Sequence, residues 1–324
     1  MNRTAVVAAV VATIGCLVSG AGAQTYPAKP VRIIVGFSPG GIADVTVRLV
    51  APKLSEALGQ QIIVENRPGA SGAIATERVA TSPADGYTLL APTAADAVIP
   101  VLRAKLPYNL ERDLAPVSLA AVAPFVLVVH PSVPARTVKE LIALARAQPG
   151  RLSYGSVGIG TTPHLSAEAL KVMTNISILH VPYKGGLDNV IANASGLVDM
   201  VCASIPSLMP FIGAGAQRLR PLAVTSAKRA SLMPDLPTLN ESGVPGYDRS
   251  SWVGVLAPAG VPKDIVAKVN AALVKVVNTA EMKETFTRHG LDAQTNSPEQ
   301  FAAYISSQLE QNAKLIRTIG LRPE

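Results

Sequence analysis

The α/β character of this chain is most visible in one short segment, Val35-Gly36-Phe37-Ser38-Pro39-Gly40-Gly41-Ile42-Ala43-Asp44. An apolar run at residues 31–36 predicts a buried strand, and helical periodicity at residues 43–58 predicts a helix after the glycine turn. Such a turn leaves unpaired backbone N–H groups at the positive end of a helix, and its glycines let a ligand oxyanion approach the chain closely. The segment therefore predicts an anion cradle.

A second glycine turn, Tyr154-Gly155-Ser156-Val157-Gly158-Ile159-Gly160-Thr161-Thr162-Pro163-His164, again follows a predicted strand and precedes a predicted helix. Its hydroxyl groups can contact a ligand or simply cap the helix, and His164 can do either or pack against the turn. Neither turn is a nucleotide fingerprint, because the first lacks the P-loop lysine and Pro163 replaces the third glycine of G-x-G-x-x-G in the second.

Strand and helix patterns alternate along most of the chain, which predicts α/β architecture with mainly parallel sheets flanked by helices. Further strands are predicted at residues 61–65, 87–91, 152–155, 178–181, 197–202 and 219–224, and further helices from about residue 71 and at 137–147, 163–173, 187–194, 206–212, 262–278 and 298–319. A long apolar segment at residues 117–130 and another at 252–257 predict two crossings between two lobes, with a hinge. The predicted division is a signal segment at 1–23, a first lobe at 24–122 completed by 253–324, and a second lobe at 123–252.

Composition excludes several classes of protein. The 324 residues are 48% hydrophobic and 16% charged, which excludes a disordered or fibrous chain. The net charge is +7, but Lys and Arg are scattered and only 4% of the residues are aromatic, so a nucleic-acid partner is not expected.

The N-terminus has the pattern of a secretory signal, with Arg3, an apolar run to Leu17 and a small-residue site at residues 21–23. The apolar run is shorter than the roughly 20 residues that cross a bilayer. Thr13 stands where a lipoprotein signal has Leu, Val or Ile, so lipidation at Cys16 is disfavoured. Cleavage near Ala23 would leave one cysteine and no disulfide, and prolines interrupt the apolar segment at 114–129, so we expect a periplasmic protein without a membrane span.

Motifs for catalysis and metal binding are absent from the sequence. There is no G-x-S-x-G, S-x-x-K or H-E-x-x-H motif, and the four histidines do not have a close metal-ligand spacing. We therefore expect no cofactor and no enzymatic activity. Two alternatives stay open: a secreted hydrolase with Ser156 or Ser38 as nucleophile, and a ligand-sensing module that signals to a membrane sensor.

Isolated candidates have a structural and a functional interpretation each. Asp44 can accept hydrogen bonds from amides of its own helix or contact the ligand. Tyr183 follows a predicted strand and brings an aromatic hydroxyl near the expected crevice. Cys202 ends an apolar strand and fits a small buried hydrophobe better than a reactive thiol.

Over essentially the whole mature chain, the sequence resembles the Bug-type receptors, the extracytoplasmic solute-binding components of tripartite tricarboxylate transporters. The matching segments are Tyr26-Pro27-Ala28-Lys29-Pro30-Val31-Arg32, Gly40-Gly41-Ile42-Ala43-Asp44, Val64-Glu65-Asn66-Arg67-Pro68-Gly69-Ala70, Asp85-Gly86-Tyr87-Thr88-Leu89-Leu90, Val181-Pro182-Tyr183-Lys184-Gly185 and Ala257-Pro258-Ala259-Gly260. Two departures are Ser38, where proline is usual, and Cys202-Ala203-Ser204, which replaces a more polar turn.

The resemblance implies a two-lobed, type II periplasmic-binding-protein fold without catalysis. Such a protein closes around a small organic acid, amino acid or amide and delivers it to the membrane permease subunits of the transporter. The resemblance also implies that backbone amides, hydroxyls and bridging water hold the carboxylate. The predicted ligand-binding residues are Phe37, Ser38, Gly40, Gly41, Asp44, Thr93, Ser156, Gly158, Gly160, Thr161, Thr162, His164, Tyr183, Cys202 and Ser204. We expect a monomer, and the sequence leaves the ligand and the particular permease open.

Overall fold

Two mixed sheets, each flanked by helices, form the two lobes of the computed structural model. The structure describes residues 26–37, 39–103, 105–183, 186–212 and 218–321. The predicted signal segment, Cys16 and Ser38 lie outside these residues. Among the described helices none combines the length and the apolar character that a membrane crossing requires.

The sheet of the first lobe has the strand order β11-β4-β10-β3-β1-β2. Its strands are β1 (Val31–Val35), β2 (Ile62–Asn66), β3 (Thr88–Ala91), β4 (Leu114–Ala123), β10 (Ser251–Pro258) and β11 (Asp292–Ala293). The pairs β1–β2 and β1–β3 are parallel, whereas β10 runs antiparallel to both β3 and β4.

Helices cover both faces of this sheet because each presents an apolar stripe. Helices α1 (Ile42–Leu58), α8 (Lys263–Val277) and α9 (Ala280–Arg288) share one core cluster, which includes Leu54, Leu273 and Phe286. On the other face, α2 (Ala73–Ala80) and the first half of α10 (Pro298–Thr318) pack against the strands through Val79, Phe301 and Ile305.

The sheet of the second lobe has the strand order β7-β6-β8-β5-β9. Its strands are β5 (Phe125–Val129), β6 (Ser153–Ser156), β7 (Leu179–Pro182), β8 (Met200–Ser204) and β9 (Arg220–Val224). The pairs of β6 are parallel, and the pairs of β5 are antiparallel. Among the described residues, the helices that flank the sheet are α4 (Val138–Ala147), α5 (Thr162–Thr174), α6 (Gly186–Ala194) and α7 (Ile205–Ile212).

The chain crosses between the lobes at Pro124, which separates β4 from β5, and again just before β10. The lobes are also joined elsewhere. Leu315 and Ile316 near the end of α10 belong to the core cluster of the second lobe, together with Val98 at the start of α3 (Ile99–Leu102). Asn312 accepts a hydrogen bond from Arg249 at 2.9 Å and donates one to Ala97 O at 3.1 Å.

The predicted α/β, two-lobed fold is confirmed, with local corrections. The apolar segment at 117–130 forms two strands of different sheets, because Pro124 lacks the N–H that would continue the ladder. Both sheets are mixed rather than mainly parallel, since the strands that cross between lobes pair antiparallel. Helix α9 was not predicted, because only Met282 and Phe286 are buried along it. Two apolar residues are too few to show a helical period in the sequence.

Candidate ligand-binding site

A cleft of about 800 Å³ opens where β1, β3, β6 and β8 end, on the side from which helices leave both sheets. This is where α/β sheets generally bind ligands. The cleft is lined by Phe37, Pro39, Gly40, Gly41, Ile42, Thr93, Ala95, Phe125, Val157, Thr161, Thr162, Pro163, Gly186, Asn189, Cys202, Ala203, Ser204, Ser207 and Ser251.

On the first lobe, the wall of the cleft is the glycine turn between β1 and α1. The carboxylate of Asp44 lies behind this turn, 3% exposed, and accepts hydrogen bonds from Gly40 N at 2.9 Å, Arg48 Nε at 2.8 Å and Asn66 Nδ2 at 2.9 Å. Asn66 Nδ2 also donates to Phe37 O at 3.0 Å. Burial raises the pKa of Asp44, but the three hydrogen bonds and the charge of Arg48 outweigh it and hold the pKa below its usual value.

This network changes the expected role of two residues. Asp44 lies outside the lining, and the amide of Gly40 is taken up by its carboxylate rather than left for a ligand. The N–H groups of the first turn of α1, around Gly41 and Ile42, have no partner within a helix and lie at the cleft. These amides can donate hydrogen bonds to an anion in the cleft.

Thr93 contributes a hydroxyl at the end of β3. It caps the short turn Ala94–Ala97 by a reciprocal arrangement, in which Asp96 accepts from Thr93 N at 2.8 Å. Burial raises the pKa of Asp96, and Thr76 donates to the same carboxyl group at 2.8 Å. The buried carboxyl thus fixes Thr93 at the lining.

On the second lobe, a histidine pair stands behind the glycine turn between β6 and α5. Ser156 Oγ and His180 Nε2 share a hydrogen bond of 2.6 Å, and Gly158 N donates to Ser156 Oγ at 3.1 Å. His164 Nδ1 accepts from Gly160 N at 3.3 Å, and its ring lies 4.6 Å from that of His180. The turn is therefore held by neutral groups.

Burial is the main reason why both imidazoles stay neutral. Burial, His180 and Lys171 lower the pKa of His164 to about 4 against the opposing charge of Glu168. Burial likewise lowers the pKa of His180. Tyr154 stacks on His180 with ring centroids 4.8 Å apart and donates to Glu168 at 2.6 Å.

Beyond this turn, the helix start supplies the polar lining. Thr161 is the residue before α5 and donates from Oγ1 to Gly158 O at 2.6 Å, while Thr162 opens the helix. Both threonines line the cleft, together with Val157 and Pro163. The first-turn amides of α5 lie beside them.

The end of β8 completes the wall of the second lobe. Ser204 and Ser207 share a hydrogen bond of 2.9 Å between their hydroxyl oxygens, at the beginning of α7. Cys202 is 1% exposed, and burial raises the pKa of its thiol to about 12, so it remains a protonated, apolar part of the wall. Ser207 was not predicted, although a serine three residues after Ser204 at a strand-to-helix junction was a usable signal.

The structure brings together at the cleft Phe37, Gly40, Gly41, Thr93, Thr161, Thr162, Cys202 and Ser204. It places Asp44, Ser156, Gly158, Gly160, His164 and Tyr183 outside the lining, and the first five of these hold or shape the two turns. Sequence reasoning missed Asn189, Phe125 and Ser251. Phe125 and Ser251 lie at the two crossings and Asn189 lies on α6, so only the folded chain shows that they meet.

No charged side chain occurs among the described residues that line the cleft. Four helices, α1, α5, α6 and α7, instead begin at it and direct the positive ends of their dipoles toward it. Within the described ranges no group of three His, Cys, Asp or Glu side chains could hold a metal ion. The arrangement can bind an anion through neutral donors.

A cleft of this kind between two α/β lobes is typical of solute-binding proteins. Protein BugT of Bordetella pertussis is 34% identical to this chain over 99% of both chains. The solved structure of an R. palustris protein with adipate is 36% identical, with a TM-score of 0.80 over 92% of this chain and 100% of that one. MatC from Rhodopseudomonas palustris with bound malate is 27% identical, with a TM-score of 0.74 over 90% of this chain and 100% of that one.

The model of the tripartite tricarboxylate transporter family receptor matches residues 46–321, so the chain belongs to this family. The resemblance to Bug-type receptors is confirmed. The family consists of solute-binding receptors rather than enzymes, which confirms the expectation of a non-catalytic protein and removes the hydrolase alternative. Ser156 would be a poor nucleophile in any case, because it is fully buried.

Proposed function

We propose that this protein captures a small carboxylated metabolite in the periplasm and delivers it to the permease of a tripartite tricarboxylate transporter. The observation that carries the proposal is the start of four helices at one cleft that has no charged side chain among its described lining residues. Helix starts bind anions because their N–H groups lack partners and their dipoles favour negative charge. Membership of the receptor family supports the same function.

A dicarboxylate is the ligand that suits the cleft best. Helix starts reach it from both lobes, so each end of a ligand can meet amides and hydroxyls. Apolar side chains, including Ile42, Phe125 and Ala203, also line the cleft and suit a short hydrocarbon chain. The similar proteins solved with adipate and with malate also hold dicarboxylic acids.

The proposal also covers the closure of the two lobes and the location of the protein in the cell. We propose that the lobes 24–122 plus 253–324 and 123–252 close on the ligand, with the crossings near Pro124 and Ser251 as the hinge. The signal pattern at residues 1–23 and the receptor family support export to the periplasm. We expect the receptor to act as a monomer.

Titration calorimetry with adipate, malate, hexanoate and the diamine putrescine tests ligand binding. The protein is first unfolded and refolded, so that carried-over ligand is removed. We expect a carboxylate to bind and to raise the melting temperature, with a stabilisation of about 2.7 kcal/mol at 100 times Kd, and putrescine to have no effect. A folded, ligand-free protein that binds no acid of the panel contradicts the proposal.

A matched pair of threonine variants on α5 locates the binding. Thr162→Val removes a hydroxyl at the cleft, and we expect it to weaken carboxylate binding about tenfold. Thr174→Val removes a hydroxyl at the other end of the same helix, where it donates to Leu170 O, and should leave the affinity unchanged. Delivery to the permease is tested by uptake of labelled ligand into cells with and without the receptor.

A further inference from the structure

A second, much smaller cavity lies beside the cleft, at the junction of the two lobes. Thr162 at the start of α5 lines both spaces. Further walls are the turn at Ala94 in the first lobe, the second crossing at Arg249 and Ser250, and the second half of α10. The volume of about 20 Å³ is enough for one water molecule or one monatomic anion, but not for a carboxylate ligand.

Arg249 is the charged residue of this cavity wall, and the described residues do not balance its charge. Five other arginines of the described chain form ion pairs with carboxylates, whereas Arg249 forms none among these residues. The carboxylate of the adjacent Asp248 accepts instead from Ala227 N at 3.1 Å. Burial lowers the pKa of Arg249, against the opposing influence of Tyr247 and Asp248. The guanidinium is thus a partly desolvated cation at a closed space.

The hydrogen-bond capacity of Arg249 is also largely unused within the described chain. Its Nη1 donates to Asn312 Oδ1 at 2.9 Å, and Asn312 Nδ2 in turn donates to Ala97 O at 3.1 Å. A guanidinium has five N–H donors, so this single bond leaves most of them for a further acceptor. The bond to Asn312 fixes the guanidinium against α10.

Ser166 on α5 provides an independent observation at the same cavity. It lines the cavity and is fully buried, and its Oγ has no hydrogen-bond partner among the described residues. Thr46 and Ser55 on α1 and Thr174 on α5 donate to the carbonyl four residues earlier, as hydroxyls in helices commonly do. The Ser166 hydroxyl makes no such bond, so its proton is free to be donated elsewhere. A buried polar group left in this way costs free energy and calls for a partner.

We propose that this cavity binds one halide-sized anion, which accepts hydrogen bonds from Arg249 and Ser166. An anion fits better than water, because it balances the charge of the guanidinium as well as accepting its hydrogen bonds. A cation would be repelled by Arg249. The bound anion links Arg249, which is held on α10, to α5 of the second lobe, and so stabilises the arrangement of the lobes. The site is distinct from the ligand cleft, and the inference does not depend on which acid the cleft binds.

Thermal unfolding in sodium chloride and in sodium methanesulfonate of equal ionic strength tests the inference in solution. Methanesulfonate is the comparison because it is too large for the cavity. We expect chloride to raise the melting temperature of the wild type by about 2 to 4 °C relative to methanesulfonate, since it binds only the folded state. Arg249→Met should abolish the difference, and Ser166→Ala should raise the chloride concentration required about 3- to 10-fold. Arg288→Met, which removes an exposed arginine paired with Glu284 on α9, should keep the difference.

Crystals of the wild type soaked in sodium bromide locate the anion directly, and they serve even if Arg249→Met does not fold. We expect an anomalous scattering peak between Arg249 and Ser166. A water molecule there without a bromide signal, or a bromide peak confined to the ligand cleft, overturns the inference. An equal chloride effect in wild type and Arg249→Met overturns it too, because a peak in the cavity would then mean binding at crystal concentration only.

Discussion

The two glycine turns have the same sequence logic but are anchored by opposite chemistry. Behind the turn of the first lobe, the ionised Asp44 collects donors from Gly40, Arg48 and Asn66. Behind the turn of the second lobe, Ser156, His164 and His180 hold the turn through hydrogen bonds between neutral groups. A strand–turn–helix pattern thus predicts where a wall of the cleft forms. We call the groups that hold the turn from behind its anchor, and we expect the anchor to determine how stable the turn is and how that stability depends on pH.

The largest difference between the turns should appear when each anchor is removed. Asp44→Ala leaves Gly40 N, Arg48 and Asn66 without their acceptor; because Arg48 is half exposed and can be hydrated, we expect the free energy of unfolding to fall by about 3 kcal/mol. Urea denaturation measures the effect. Asp188→Ala, which removes an exposed carboxylate in the first turn of α6, should change it by less than about 0.5 kcal/mol. A small effect of Asp44→Ala would mean that the first turn does not depend on its charged anchor.

Acid should weaken the anchor of the second lobe first. The folded-state pKa of His164 is about 4, below the value of 6.5 for the unfolded chain. The unfolded state then binds more protons between these values, so stability is complete above pH 6.5 and falls as the pH drops toward 4. We expect a loss of as much as about 3 kcal/mol from this residue, and His180, whose pKa is also lowered by burial, should act in the same direction.

Denaturation curves between pH 4 and 7 measure this acid effect, and His164→Gln should flatten the dependence. The charged groups around the pair are Glu168 and Lys171, and they remain in the variant. His289→Gln, which removes an exposed histidine just after α9 in the first lobe, serves as the control variant. Asp44 responds only at lower pH, because its pKa lies below the ordinary value and its contribution is lost as the pH falls further. An unaltered slope in His164→Gln would contradict the assignment.

Gly160 and Gly40 both have a left-handed backbone, but they differ in the space around them. Gly160 has φ +79° and a Cβ there would lie 2.4 Å from Leu102 Cδ1, whereas Gly40 has φ +82° with nothing within 4 Å. Both Gly→Ala variants bear the backbone cost of about 1 kcal/mol, but only Gly160→Ala also forces the Leu102 side chain to move. We expect losses of about 2 kcal/mol for Gly160→Ala and about 1 kcal/mol for Gly40→Ala in thermal or urea unfolding. Equal losses would show that Leu102 yields freely.

An equally small effect is expected from the loss of the neutral hydrogen bond in the second turn. Ser156→Ala removes the hydroxyl that joins His180 to Gly158 N, and we expect a loss of about 1 kcal/mol in the free energy of unfolding. Carboxylate affinity should change less than about threefold, because Ser156 does not line the cleft. A loss as large as that of Asp44→Ala would remove the distinction between charged and neutral anchors.

Much of the architecture was predictable because local periodicity reports burial. The strands 31–36 and 87–91 and the helix 43–58 were predicted to within a residue or two of β1, β3 and α1. The mixed character of the sheets was not predictable, since β4 pairs with β10, to which the chain returns only at Ser251 after passing through the whole second lobe. Helix α9 escaped because its polar residues outnumber the two that are buried.

Site residues next to a recognisable glycine turn could be predicted from the sequence, whereas site residues far from any such motif could not. Thr161 and Thr162 follow a glycine turn, so their place at a strand end was visible in the sequence. The ring of His164 contacts Gly160 N and His180, which accords with the structural alternative for this residue. Asn189 had no such signal, as nothing near it marks the space that Gly155 leaves on another element.

The sequence alone determined the class of fold, the two glycine turns and the family to which the chain is similar, because each depends on residues close together along the chain. Only the tertiary structure decided that the Gly40 amide donates to Asp44, that Ser156 and His164 support one wall of the cleft from behind, and that Asn189 lines the cleft. The physical reason is that hydrogen-bond partners and burial are determined when separate elements pack together. A local sequence pattern does not specify which distant element packs against it.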